Sequence, residues 1–239
     1  MADERQHRKE RLAAAFRLFA HFGYEEGITG HISVRDPEEP ESFWVNPFGM
    51  TFGHITVSDL VRVGPDGSVV EGKHDTHEAP FSIHSQLYAA RPDVQSAAHS
   101  HTLYAKTLAS FGELLAPITQ DACAFYQDQG YFDDYVGVIL TDDQGRRLAS
   151  ALDKNKALLL RNHGLITVGG SVDAAAWWFI SFEESSRSQL LARAAGEPIE
   201  IDHENALRAR SEIGKDFSGW LNFQPYYQMI TRLQPDLLE

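Results

Sequence analysis

The sequence predicts an α/β fold in which helices cover both faces of a mixed sheet, and three observations carry that prediction. Several segments repeat apolar residues at helical spacing, short alternating or wholly apolar runs lie between them, and hairpin turns join the short runs. Leu12, Phe16, Phe19 and Phe22 form the apolar stripe of an opening helix that Gly23 ends. Thr29–Asp36 (TGHISVRD) reads as a strand, Pro37–Pro40 turns the chain, and Ser42–Asn46 (SFWVN) returns as the hairpin partner. Pro47-Phe48-Gly49 is a turn, Val57-Ser58-Asp59 caps a short helical turn, and Leu60–Val63 runs into the tight Gly64–Gly67 loop.

Phe81, His84, Leu87 and Tyr88 mark a helix that must stop at Arg91, because the residue before Pro92 is pushed out of the helical region. Strand Val94–Ser100, a helix from about Thr102, a short strand Gly137–Leu140 and a helix Gln144–Asp153 are expected to follow. Ala157–Leu160 is apolar without interruption, which means burial on both faces, and Arg161–Gly164 turns it into Leu165–Val168. Ser171 is the natural N-cap of a long helix from Val172 to about Ala194. A single domain spanning 1–239 is expected, with 203–239, a charged helix and an aromatic, proline-punctuated tail, forming an arm on a neighbouring subunit.

Composition narrows the class. With 239 residues, 43% of them apolar, the chain can bury one core, and its single cysteine excludes a disulfide scaffold and favours a reducing compartment. No apolar run approaches the roughly 18 residues of a membrane span, and Met1–Arg11 is a run of charges instead of a signal peptide, so a soluble, cytoplasmic protein is expected. A net charge of −13 opposes nucleic acid and anionic membranes as partners. Eleven histidines, six of them between His54 and His101, call for a chemical explanation.

That explanation centres on His99-Ser100-His101. In an extended strand residues i and i+2 share a face, so two imidazoles can converge on one metal ion. His163 lies in the turn after the most apolar strand, where side chains commonly meet a site. Three neutral imidazoles leave a divalent metal its full charge and an open position, as a Lewis acid requires.

The succession TGHISVRD (Thr29–Asp36), NPFG (Asn46–Gly49), IHSQLYAARPDVQSAAHSH (Ile83–His101) and RNHGLITVG (Arg161–Gly169) resembles the class II aldolase and adducin head-domain family over about Leu12 to Ala195. The resemblance implies a three-layer α/β/α fold with a central, mostly antiparallel sheet. It also implies a divalent metal on His99, His101 and His163, and a homotetramer with sites at subunit interfaces. Zinc is the expected metal, with manganese or iron as alternatives.

Departures from the family pattern bear on the substrate. The acid/base glutamate of the sugar-phosphate aldolases falls nineteen residues before the first metal histidine, which here is Pro80; Glu78, two residues away, is the nearest carboxylate able to replace it. Positions aligned with the family's phosphate cradle are His31, Phe48 and the Glu78-Ala79 pair, and neither an aromatic ring nor a carboxylate donates hydrogen bonds to a phosphate. A non-phosphorylated carboxylate is therefore expected, with Phe48 and Gly49 beside an apolar or aromatic group and His31 binding a carboxylate or donating a proton. Asp121 and Tyr126 lie where aldolases of the family place a tyrosine that reaches a neighbouring subunit's site. His84 reads as a core residue, Glu183 and Glu184 as a solvated face or subunit contact, with the alternative that one of them supports the metal ligands from behind, and His54, His74 and His77 as surface.

The expected activity is that of a metal-dependent carbon–carbon lyase, of aldolase or decarboxylase type, on a small non-phosphorylated carboxylate, with aromatic and 2-oxo acids as the candidate substrates. Two alternatives remain open: a non-haem Fe(II) oxygenase that oxidatively decarboxylates a 2-oxo acid, and a non-catalytic adducin-like module.

Overall fold

The structure is a computed structural model that describes residues 2–76 and 78–239, with side chains for all of these except 2, 3, 78 and 79. Its elements are α1 (Ala2–His21), β1 (His31–Arg35), β2 (Phe43–Val45), β3 (Val61–Val63), β4 (Val69–Glu71), α2 (Glu78–Ala90), β5 (Ser96–Ser100) and α3 (Leu103–Ala109). The remainder comprises β6 (Gln129–Phe132), α4 (Asp142–Leu152), β7 (Ala157–Leu160), β8 (Gly164–Gly169), α5 (Val172–Ala195), α6 (His203–Ile213) and α7 (Asp216–Leu233).

Among the described residues the strands form one sheet in the order β4-β3-β2-β1-β5-β8-β7-β6, antiparallel throughout except for the parallel β6–β7 pair. Side-chain alternation splits the core into two layers. Ile32, Val34, Ala98, Leu159 and Leu165 point to the side of α1 and α5, against Phe16, Phe19 and Phe179. Ala97, Leu158, Ile166 and Val168 point to the side of α2 and α4, against Ile83, Leu87 and Leu148. The fold is thus the expected α/β/α sandwich with a mostly antiparallel sheet. The alternation also decides where chemistry can sit, since His31 and Ser33 of β1, and His99 of β5, all fall on the α2/α4 side.

One expectation needs correction. Gly137–Leu140 is not a strand but a loop, and the strand lies earlier, at Gln129–Phe132, whose glycine disguises it. Gly130 is required there because a Cβ would stand 2.6 Å from the Ala151 carbonyl oxygen at the end of α4. The opening helix begins ten residues before Leu12, at Ala2. Within residues 203–239, α7 packs on α5 and α1, and Phe223, Ile230 and Leu237 are fully buried within their own chain. Phe217, Trp220 and Leu221 lie on its exposed side.

Candidate metal centre

β5 lies between β1 and β8, so His99 stands beside His31 in one neighbour and Ile166 in the other. His101 follows the end of β5, and His163 comes from the turn between β7 and β8. The sequence Arg161-Asn162-His163-Gly164 suits that turn residue by residue. The His163 amide donates to the Leu160 carbonyl at 3.0 Å and closes the turn. Asn162 takes a left-handed φ of 53°, which asparagine tolerates better than most residues. A Cβ at Gly164 would lie 2.6 Å from the Ser100 carbonyl oxygen, so only glycine lets the turn approach β5 closely enough to bring His163 to the other two histidines.

The ligand atoms of His99, His101 and His163 lie within 4.8 Å of one another. Nε2 of His99 and Nε2 of His101 are 3.2 Å apart. Nδ1 of His99 donates to the Leu165 carbonyl at 2.9 Å, which leaves its Nε2 lone pair for a metal and fixes the ring, as an outer partner of a ligating histidine should. Burial holds all three neutral: it depresses His99 well below the usual histidine range with His163 adding to the effect, lowers His163 to about 4 with help from His101, and lowers His101. Neutral nitrogens bound to a metal at about 2.1 Å in a tetrahedral arrangement sit about 3.4 Å apart, so this donor set fits a divalent cation in both charge and spacing.

The trio forms one wall of a cavity of about 250 Å³. His31 and Phe48 line it with apolar Ile28, Ile83, Val138 and Ile139, and no arginine or lysine does so among the described residues. Pro80, at the position of the family's acid/base glutamate, also lines it. The Asn46–Gly49 turn is tied to the neighbouring loop by a 2.8 Å hydrogen bond from the Phe48 amide to the Asp75 carbonyl, and Gly49 takes a φ of +84°. That bond aligns two cavity residues the sequence reading did not single out. The side-chain oxygens of Asn46 and Thr76 are buried with no hydrogen-bond partner among the described residues. Asn46 begins the NPFG motif, and that position was its only signal.

Other expected site residues lie elsewhere. Asp121 is exposed on a helical turn, and the Tyr126 hydroxyl bonds to His203 Nδ1 at 3.0 Å; neither lines the cavity of its own chain. The Glu78 side chain and all of His77 lie outside the described residues. Trp44 and Phe52 are core residues. His74 meets Asp59 at 3.2 Å on the surface, and Cys123 is buried.

Glu183 overturns its reading as a solvated residue. It is 2% exposed and its carboxylate accepts from the Thr102 hydroxyl at 2.7 Å, the Tyr104 amide at 2.9 Å and the Ala105 amide at 2.7 Å. Thr102, the N-cap residue of α3, makes no cap with its own side chain, so Glu183 supplies the cap from α5. In doing so it anchors the chain directly after His101. Glu184 is exposed.

A three-layer sandwich with three neutral histidines meeting beside its central strand could hold a metal ion, and likeness to known proteins gives the family. Residues 10–190 match the family described as Class II Aldolase and Adducin N-terminal domain, and the chain belongs to that family. It is 44% identical to decarboxylase NovR of Streptomyces niveus, over 99% of this chain and 88% of that protein. It is 43% identical to the 4-hydroxy-3-prenylphenylpyruvate oxygenase/4-hydroxy-3-prenylbenzoate synthase of Streptomyces roseochromogenus subsp. oscitans, over 99% of this chain and 86% of that one. Among solved structures, an L-fuculose 1-phosphate aldolase from Glaciozyma antarctica PI12 superposes with a TM-score of 0.93 at 43% identity, covering 99% of this chain and 93% of that chain. Among the described residues no helix is long and apolar enough to cross a membrane.

Proposed function

We propose that the chain is a cytoplasmic, metal-dependent carbon–carbon lyase of the decarboxylase type, acting on a small non-phosphorylated carboxylate that carries an aromatic or other apolar group, with a 2-oxo acid the best fit. The cavity carries this reading: its three-histidine wall faces apolar side chains, and among the described residues no arginine or lysine lines it to balance a phosphate dianion. The relatives' names agree, one being a decarboxylase and the other naming a phenylpyruvate, an aromatic 2-oxo acid. The sugar phosphate in the name of the Glaciozyma structure belongs to that protein, and the cavity here offers such a ligand little.

His99, His101 and His163 would hold the metal, zinc in our reading with manganese or iron as alternatives, and a divalent ion there supplies a Lewis acid for the negative charge that develops as the bond breaks. The chain's own groups do the rest. Phe48, Ile83 and Ile139 receive the apolar part of the substrate and exclude water around it. Asn46 and Thr76 offer the substrate's polar atoms the hydrogen bonds they do not make among the described residues. His31 is 5% exposed, and burial, reinforced by His84, keeps it neutral well below the usual histidine range, so it meets a substrate oxygen as a neutral hydrogen-bond partner through the nitrogen that His84 does not occupy. Asp121 and Tyr126 complete the reading as groups presented to a neighbouring copy's cavity in a homotetramer, and Glu78 as a carboxylate near Pro80.

The test is carbon dioxide release from a panel of aromatic carboxylates and 2-oxo acids, with each metal supplied in turn, under air and under nitrogen. Release under nitrogen that depends on metal and disappears in His163→Ala supports the lyase. The printed name of the second relative favours one other reading, an oxygenase, and release that requires iron and consumes oxygen would replace the lyase with it. A well-folded, metal-loaded protein that turns over none of the panel would sink both.

A further inference from the structure

Behind His31 the structure buries a line of polar side chains that metal binding does not use. Nδ1 of His31 lies 2.5 Å from Nε2 of His84 on α2. Nδ1 of His84 lies 2.7 Å from the Ser33 hydroxyl on β1, and that hydroxyl lies 2.6 Å from the Tyr88 hydroxyl, also on α2. His84 and Ser33 are fully buried and Tyr88 is 5% exposed. The spacing of the two elements builds the line: Ser33 stands two residues from His31 on one face of β1, and Tyr88 stands four from His84 on one face of α2. Both ends are held. The Arg35 guanidinium lies 4.5 Å over the Tyr88 ring while also bonding the Tyr88 backbone carbonyl, and Ser96 donates to the Ser33 carbonyl at 2.6 Å.

Each neutral imidazole in this line carries one proton, and each hydroxyl carries one proton and two lone pairs, so the line runs either outward to His31 or inward from it. Outward, Tyr88 donates to Ser33, Ser33 to Nδ1 of His84, and Nε2–H of His84 to Nδ1 of His31; every proton in the line finds an acceptor, and His31 keeps its own proton on Nε2. Inward, His31 donates to His84 and His84 to Ser33, and either the Tyr88 or the Ser33 proton is left with no acceptor among the described residues. A buried hydroxyl proton left unpaired costs about 1–3 kcal/mol, enough to set the direction of the whole line.

We propose that Ser33 and His84, with Tyr88 locking the serine, are positioning residues that fix His31 as its Nε2–H tautomer, so that His31 presents a hydrogen-bond donor to the substrate and not a base. The proposal rests on the reading above only in taking the cavity as the substrate site. No proton need leave His31; the line sets which atom carries it.

The test reads the tautomer directly. Two-bond proton–nitrogen correlation spectra of the His31 ring are recorded for the full chain loaded with Zn(II), chosen because it is diamagnetic, in wild type, His84→Phe, His84→Gln and Ser33→Ala. The expected wild-type spectrum has Nε2 protonated and Nδ1 bare. His84→Gln, whose amide can still donate to Nδ1, keeps that pattern. His84→Phe and Ser33→Ala, which remove the donor or its support, give a mixture of tautomers, with bound zinc unchanged and kcat on any accepted substrate lowered by about 10-fold or more. Ser33→Ala keeps the test decisive should the phenylalanine variant fail to fold. A wild-type His31 protonated at Nδ1, or a Ser33→Ala protein with the wild-type tautomer, overturns the proposal. Because the spectra need no substrate, a failure of the lyase reading leaves this result to stand or fall by itself.

Discussion

Removing the Glu183 carboxylate should loosen the metal centre from a distance, and the structure gives the size of the effect. Glu183→Ala strands the Thr102 hydroxyl and the Tyr104 and Ala105 amides at the start of α3, and a donor left unpaired away from water costs at least about 1 kcal/mol. Burying the carboxylate is itself a cost, visible in a Glu183 pKa pushed up by burial against the pull of these three donors, and truncation relieves part of it. The net loss should be about 2–3 kcal/mol of unfolding free energy. Glu183→Gln, which keeps one acceptor oxygen, should lose about half as much. Urea unfolding measures both, with an unchanged m-value showing that stability alone has moved. Since Thr102 directly follows His101, metal affinity should fall with stability in Glu183→Ala. A loss below about 0.5 kcal/mol, or full stability loss with unaltered metal affinity, would refute the view that Glu183 holds the ligand-bearing chain in place.

Three further outcomes follow from particular contacts. Asp36 is buried, which would raise its pKa, but Arg5, the Glu38 and Glu39 amides and the Trp44 indole outweigh burial and bring it down to about 2. A depressed carboxylate adds stability above its unfolded value of 3.8 and loses it as pH falls toward 2, so Asp36→Asn should cost about 1–2 kcal/mol at pH 6 and progressively less below pH 4 in acid-unfolding curves. Asn46→Ala should raise KM for an accepted substrate about 10-fold with little change in thermal stability, because its side-chain oxygen has no partner among the described residues to lose. Tyr126→Phe should lower kcat at concentrations where the chain is assembled if the residue serves a neighbouring copy, and parallel assays across a dilution series with sedimentation would show it; unchanged kcat in the assembled state removes Tyr126 from the site.

Much of this was legible in the sequence because period and chemistry agree there. The His-x-His pair marks the end of a strand, which puts His99 on it and His101 just past it, and Ala157–Leu160 is apolar enough to announce a strand buried on both faces. What stayed hidden depended on tertiary partners. Gln129–Phe132 contains a glycine that reads as a turn until α4 is seen pressing on it, whereas Gly137–Leu140 is apolar because Val138 and Ile139 line the cavity, not because the segment joins the sheet. Glu183 looked solvated since its partners, Thr102 to Ala105, are eighty residues away in sequence. His84 was readable as a core residue, but its bond to His31 needs β1 and α2 side by side. Asn46 and Thr76 gave no periodic signal, because a turn residue aimed at a cavity follows no repeat.

The central claim is that His99, His101 and His163 form one metal site that turnover requires. Elemental analysis of the purified chain and of His163→Ala, paired with turnover of the same samples, tests it most directly. The account predicts about one divalent ion per chain in the wild type, with metal and activity lost together in the variant. A variant that keeps both its metal and its activity would contradict it.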